Sequence, residues 1–187
     1  CIELKRLQKT VGISFVHVTH NQEEAMSVAD RIAIIADGEM IEQGTPKEIY
    51  SNHRKKFTAE FIGEKNIFNG KILEFTKEKI IVDIDGASIE VANNNYNISK
   101  NQNVSLSIKS ESIQITKDKD TKPENQKNSI KGNVSEITFL GQFVRYLVLL
   151  NSGQEIQVRS YEEVNYISLN DAVKLSWKIE DFLLHES

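Results

Sequence analysis

The sequence predicts a mixed fold: a partial α/β segment over residues 1–62, then an all-β half of small barrels over residues 63–187. Three observations carry that expectation. Helix-like and strand-like text alternate from Ile2 to Ala29, and a hairpin and two short helices follow to Ile62. Beyond Gly63 the pattern changes to short runs of period two separated by Gly, Asn and Asp.

The elements follow in order. Ile2, Leu4 and Leu7 with charged residues between them suit an amphipathic helix to Lys9, already under way at Cys1, which reads as a segment of a longer protein. "ISFVHV", Ile13 to Val18, is a β-branched run of the kind buried in parallel sheets. Asn21 is a good N-cap and Glu24 its reach-back partner, so Asn21 to Ala29 should be helical. "RIAIIADGEMIEQG" is two β-runs around Asp37-Gly38, a dipeptide that tolerates the positive φ of a tight hairpin turn. Thr45-Pro46-Lys47-Glu48 supplies an N-cap, a Pro at the first helical position and a capping Glu, and a further helix runs from Lys56 to Ile62.

In the second half, "GKILEF", "KIIVDID", "ASIEVA", "NVSLSIK" and "SIQIT" read as strands. Lys117 to Asn128 contains no apolar residue and reads as a solvated connector between two similar β-lobes. "IKGNVSEITFLGQFVRYLVLLNSGQEIQVRS", with a turn at Asn151-Ser152-Gly153, and "AVKLSWKIEDFLLHE" supply the remaining strands. So many short strands suggest barrels of the oligonucleotide/oligosaccharide-binding type, with Phe139, Phe143, Tyr146 and Trp177 as core aromatics.

Composition narrows the function. The chain has 187 residues, 39% hydrophobic and 27% charged, with a formal charge of -4. The charge is evenly spread, so the basic face that a nucleic-acid binder needs is missing. No apolar run is long enough to span a bilayer, so membrane contact is expected only through a partner. One cysteine excludes a thiolate metal cluster within the chain, and no two histidines fall at the helical spacing of a metal pair.

His20 stands between the expected strand and the expected helix, where open α/β sheets bind ligands. A solvated strand-end histidine is the plain alternative. His17, three residues earlier, falls on the opposite face of such a strand, and His53 and His185 sit in polar context near element ends.

"FVHVTHNQEEAMSVADRIAIIADGEMIEQGTPKEIY" resembles the end of the nucleotide-binding domain of ATP-binding-cassette importers, in which a strand ending in Thr-His precedes Asp-Gln-x-Glu-Ala, "ADRI", a "DG" hairpin and "G-T-P-x-E-I-Y". The match runs nearly continuously from Leu7 to Gly63, with Asn21 where the family usually has Asp. The resemblance implies that His20 is the switch histidine that reaches the γ-phosphate of ATP and helps hold the attacking water. An imidazole suits that task, since one ring nitrogen can donate to a phosphate oxygen.

Residues 64–187 resemble the transport-associated OB regulatory domain of the same importers, through "FIGEKNIFNGKI", "VSLSIKSESIQI" and "VKLSWKIEDFLL". Lys109-Ser110-Glu111 replaces the usual Arg-Pro-Glu. "IGEKNIF" and "LSWKIEDFLL" look most like the spermidine/putrescine importer ATPases, with maltose-type and ferric-ion-type ATPases as near neighbours.

The resemblance implies a peripheral subunit at the cytoplasmic face of the bacterial inner membrane. It would pair with a second copy of itself and with transmembrane permease subunits, and use ATP and Mg2+. None of the nine glycines opens a G-x-x-x-x-G-K-[ST] loop; Lys65 stands where Gly70-Lys71 would need a glycine. The chain by itself is therefore expected to bind neither cofactor and to be inactive. The alternative function is a free-standing OB-type module for a small anion or a regulatory protein.

Overall fold

The computed structural model describes residues 2–51, 55–62, 65–118, 128–162 and 166–185. The chain divides into two compact units, residues 1–63 and 64–187.

In the first unit, helices α1 (Ile2–Val11) and α2 (Gln22–Val28) precede an antiparallel hairpin, β1 (Ile32–Ala36) and β2 (Glu39–Gly44). Asp37 and Gly38 have φ of 52° and 82°, the pair of positive values that a two-residue type I′ turn requires. Helices α3 (Pro46–Ser51) and α4 (Lys56–Phe61) follow. The Thr45 capping box forms as expected: the Glu48 N–H donates to Thr45 Oγ1 at 3.3 Å, and the Thr45 N–H donates to Glu48 Oε2 at 2.8 Å. The core is small, with Ile34, Ile49 and Ile62 buried and Met26, Ile32 and Ile41 partly so.

The expected strand Ile13–Val18 does not form. The segment has no strand partner among the described residues, and Val16 and Val18 are 94% and 91% exposed. A parallel strand exists only through its neighbours' hydrogen bonds, and these residues find none. The α/β expectation is met only by helices and an antiparallel hairpin.

Among its described residues the second unit holds ten strands: β3 (Lys65–Phe75), β4 (Lys79–Ile84), β5 (Ala87–Ala92), β6 (Asn103–Lys109), β7 (Gln114–Lys117), β8 (Asn128–Phe139), β9 (Val144–Leu150), β10 (Glu155–Ser160), β11 (Ala172–Trp177) and β12 (Leu183–His185). They form two antiparallel sheets, ordered β12-β6-β3-β4-β5 and β10-β9-β8-β11-β7. Each lobe is a three-stranded meander, then a strand returning beside the first, then a 3-10 turn and a last strand. The last strands are exchanged. β7 leaves the first lobe to pair with β11, and β12 leaves the second to pair with β6. The residues between Asp118 and Asn128, the rest of the expected connector, lie outside the described residues.

The two lobes match residue by residue. β3 is bulged between Ile72 and Glu74, β8 between Val134 and Glu136. Gly70 and Gly132 lie just before the bulges, where a Cβ would stand 2.5 Å from Val82 Cγ1 or 2.6 Å from Val148 Cγ1. Buried Asn66 and Asn128 play equivalent parts. Asn66 bonds the backbone of Gln157 at 2.7 and 2.8 Å, and Asn128 bonds the backbone of Glu90 at 2.8 and 2.7 Å. Each asparagine thus ties the first strand of its own lobe to the edge strand of the other.

One apolar core runs through both lobes. Its largest side chains meet edge to face: Phe182 lies 5.4 Å from both Phe68 and Trp177, centroid to centroid. Tyr146 and Trp177 are buried as expected, but Phe139 is 72% exposed and Phe143 only half-buried. The difference arises because β8 and β9 run on past the bulge into a hairpin that projects beyond the core.

Candidate functional site

His20 sits immediately before the N-cap of α2 and is exposed. Asn21 caps as expected, its Oδ1 accepting the Glu24 N–H at 3.2 Å. The reach-back half of the box takes another route. The Asn21 N–H donates to Thr19 Oγ1 at 3.0 Å, and the Thr19 hydroxyl donates to Glu24 Oε2 at 2.7 Å. Thr19 thus stands between cap and carboxylate, fixing the backbone on both sides of His20.

His17 joins the same group, its Nε2 lying 3.4 Å from Glu24 Oε2. The Thr19 hydroxyl first, and then His17, hold the Glu24 carboxyl below its ordinary value. Reading His17 as a bystander on the far face of a strand assumed strand parity. Without the strand, the chain turns His17 toward α2. A second tie comes from the Gln22 side chain, which donates to the Phe61 carbonyl.

His20 itself is held by no hydrogen bond or ion pair among the described residues, so its ring is available to a ligand. No three His, Cys, Asp or Glu side chains gather as a metal site among the described residues. No helix there is long and apolar enough to cross a membrane.

His185 departs from its expected polar setting. It is 3% exposed, and its Nε2 lies 2.8 Å from Ser107 Oγ, joining the exchanged strand β12 to β6. His53 lies outside the described residues.

On the outer side of β9 and β10, Arg145 and Arg159 are direct cross-strand partners. Arg145 donates to Glu136 Oε1 at 3.2 Å, and the Arg159 guanidinium lies 4.1 Å from the centroid of the Phe143 ring. Phe143 meets Tyr161 edge to face at 6.0 Å. The Thr138 hydroxyl and then Arg145 hold the Glu136 carboxyl below its ordinary value.

Comparison with known proteins now adds to this geometry. A TOBE domain model matches residues 106–184. The spermidine/putrescine import ATP-binding protein PotA of Vibrio parahaemolyticus is 35% identical over 182 residues, covering 94% of this chain and 47% of that protein. PotA of Thermotoga maritima is 31% identical over 190 residues, 99% of this chain and 51% of that protein. The chain spans about half the length of the curated relatives it matches. Among solved structures, the cytoplasmic molybdate-binding protein ModG with molybdate bound aligns at a TM-score of 0.58 with 16% identity, covering 67% of this chain and 99% of that one. That likeness is one of fold.

Proposed function

We propose that this chain, similar throughout to the C-terminal portion of ATP-binding-cassette importer ATPases, serves as the switch-histidine segment and regulatory β-domain of such a subunit. The solute is a polyamine. The single observation that carries the reading is similarity to spermidine/putrescine import ATP-binding proteins over 94–99% of the chain, spanning both units.

In this reading residues 1–62 end a nucleotide-binding domain and residues 63–187 form the transport-associated OB domain. ATP with Mg2+ supplies the phosphoryl group whose transfer to water drives the importer's conformational cycle. His20 donates a hydrogen bond to a γ-phosphate oxygen, supporting negative charge that grows in the transition state. Its exposure and its free ring suit that role. Thr19 and Asn21 hold the backbone beside it through the bonds to Glu24. The Mg2+ ligands and phosphate loop come from elsewhere in the assembled subunit. That subunit pairs with a second copy and docks on permease subunits at the cytoplasmic face of the membrane.

The test joins this chain to the preceding residues of the Vibrio relative. The chimera should hydrolyse Mg-ATP and restore spermidine uptake to a strain lacking its own ATP-binding subunit, while the chain alone releases no phosphate. A chimera that folds but neither hydrolyses nor restores uptake overturns the proposal.

A second reading rests on the likeness to ModG: the β-domain acts as a small-oxyanion module. Calorimetric titration of the full chain with molybdate supports it if saturable heat appears and rejects it if none does.

A further inference from the structure

Two helices of the first unit, α2 and α3, begin beside a threonine hydroxyl bonded to a glutamate, and the two arrangements differ in one respect. At α3 the box closes on the cap residue itself: Glu48 Oε2 accepts the Thr45 N–H at 2.8 Å and the Thr45 hydroxyl at 2.9 Å. That short box is enough to satisfy a helix start.

At α2 the ring is larger. The cap residue Asn21 accepts the Glu24 N–H at 3.2 Å, but the Glu24 carboxylate reaches past the cap to Thr19. The Thr19 hydroxyl donates to Glu24 Oε2 at 2.7 Å and accepts the Asn21 N–H at 3.0 Å. A direct bond from Glu24 to the Asn21 N–H would cap the helix equally well, as α3 shows. What the inserted hydroxyl adds is an anchor on the far side of His20.

His20 is the one residue between Thr19 and Asn21, and it makes no hydrogen bond or ion pair of its own among the described residues. Its neighbours are fixed and its ring is not. A hydroxyl-to-carboxylate bond is charge-assisted and short, which suits an anchor. The same bond is the first reason that the Glu24 carboxyl is held below its ordinary value, so the acceptor is ionised at neutral pH. With both flanking residues tied, the backbone of His20 is ordered by the fold in advance, and that entropy is not lost when a ligand arrives.

We propose that Thr19 and Glu24 are positioning residues for His20: through this ring they hold its backbone, before any nucleotide binds, in the conformation from which the imidazole meets the γ-phosphate. The assignment rests on the nucleotide reading given above. Neither side chain touches the substrate, and both act through His20. His17, whose Nε2 lies 3.4 Å from the same Glu24 oxygen, stands outside the ring and is not needed for it.

The test has two arms. In the full chain, the NMR order parameter of the His20 amide should fall from the rigid range, about 0.85, toward the flexible range, below about 0.6, in Thr19→Val and in Glu24→Ala. Thr19→Ser keeps the hydroxyl and should stay rigid. In the chimera with the Vibrio relative, Thr19→Val should lower kcat for Mg-ATP by about tenfold, and Thr19→Ser should recover most of it. Combined with His20→Ala, Thr19→Val should cost less than about twofold more, because a residue that acts through His20 has nothing left to position. A merely structural threonine would lower the rate by the same factor in both backgrounds. That additive loss, an unchanged order parameter, or a Thr19→Val chimera of full activity overturns the assignment alone. A chimera whose rate ignores His20→Ala overturns the nucleotide reading and this assignment with it.

Discussion

Replacing Asn128 by Ala removes one of the two asparagines that tie the lobes together. Its side chain is 1% exposed and makes two hydrogen bonds, accepting from the Glu90 N–H at 2.8 Å and donating to the Glu90 carbonyl at 2.7 Å. Glu90 lies on edge strand β5, paired by β4 on one side, so among the described residues no other strand takes up the freed groups. Two net hydrogen bonds are worth about 0.5–1.5 kcal/mol each, and stranded backbone groups add a desolvation cost, for a total of about 2–4 kcal/mol. In a unit of this size about 1 kcal/mol moves Tm by roughly 4 °C, so a fall of roughly 8–16 °C is expected. Urea unfolding followed by tryptophan fluorescence is the assay, because Trp177 is buried at the junction of the lobes. The midpoint should fall with the slope unchanged. A loss under about 0.5 kcal/mol would refute the clamp, and Asn66→Ala should repeat the effect in the mirror position.

Three further outcomes follow from the same geometry. Gly132→Ala places a Cβ 2.6 Å from Val148 Cγ1 and 2.7 Å from the Leu149 carbonyl, and should cost about 1–3 kcal/mol by urea unfolding. Burial raises the Asp181 carboxyl above its ordinary value, so the charged form opposes folding at neutral pH. Asp181→Asn keeps an acceptor for the Lys178 N–H, now 2.9 Å from Asp181 Oδ2, and should leave the midpoint at pH 7 unchanged or higher. Glu24 and Glu48 are both held below 4.5, mainly by Thr19 and by the Thr45 backbone respectively. The stability they confer is complete above the unfolded value and is lost as pH falls through the folded values, so the first unit should loosen in acid before neutral pH matters. Carboxyl NMR titration of Thr19→Val should find Glu24 moved back toward 4.5.

Local chemistry made much of the fold legible. Asp37-Gly38, Thr45 with Glu48, and the period-two runs each state their conformation within a few residues, and each forms as expected. What the sequence hid is non-local. Period two says which face of a strand is apolar, but not which sheet it joins, so the exchange of β7 and β12 is invisible before pairing is seen. The same holds for the burial of His185, which depends on Ser107, 78 residues away. Ile13 to Val18 has strand composition without strand partners, which is why propensity alone misplaced it. Phe139 looked like core because aromatic residues usually are. Only the extra length of the β8–β9 hairpin, seen against β3–β4, puts it outside.

Within the candidate site, His20 and the Asn21 cap were readable from residue types. The Thr19–Glu24–His17 group was not, because it needs the chain to fold back on α2 rather than run on as a strand. The measurement closest to the central claim is steady-state Mg-ATP hydrolysis by the chimera with His20→Ala, beside His17→Ala as a neighbour with no phosphate contact. The account predicts a kcat loss of roughly 10²–10³-fold for His20→Ala and little change for His17→Ala. Equal activity of His20→Ala and the unaltered chimera would contradict it.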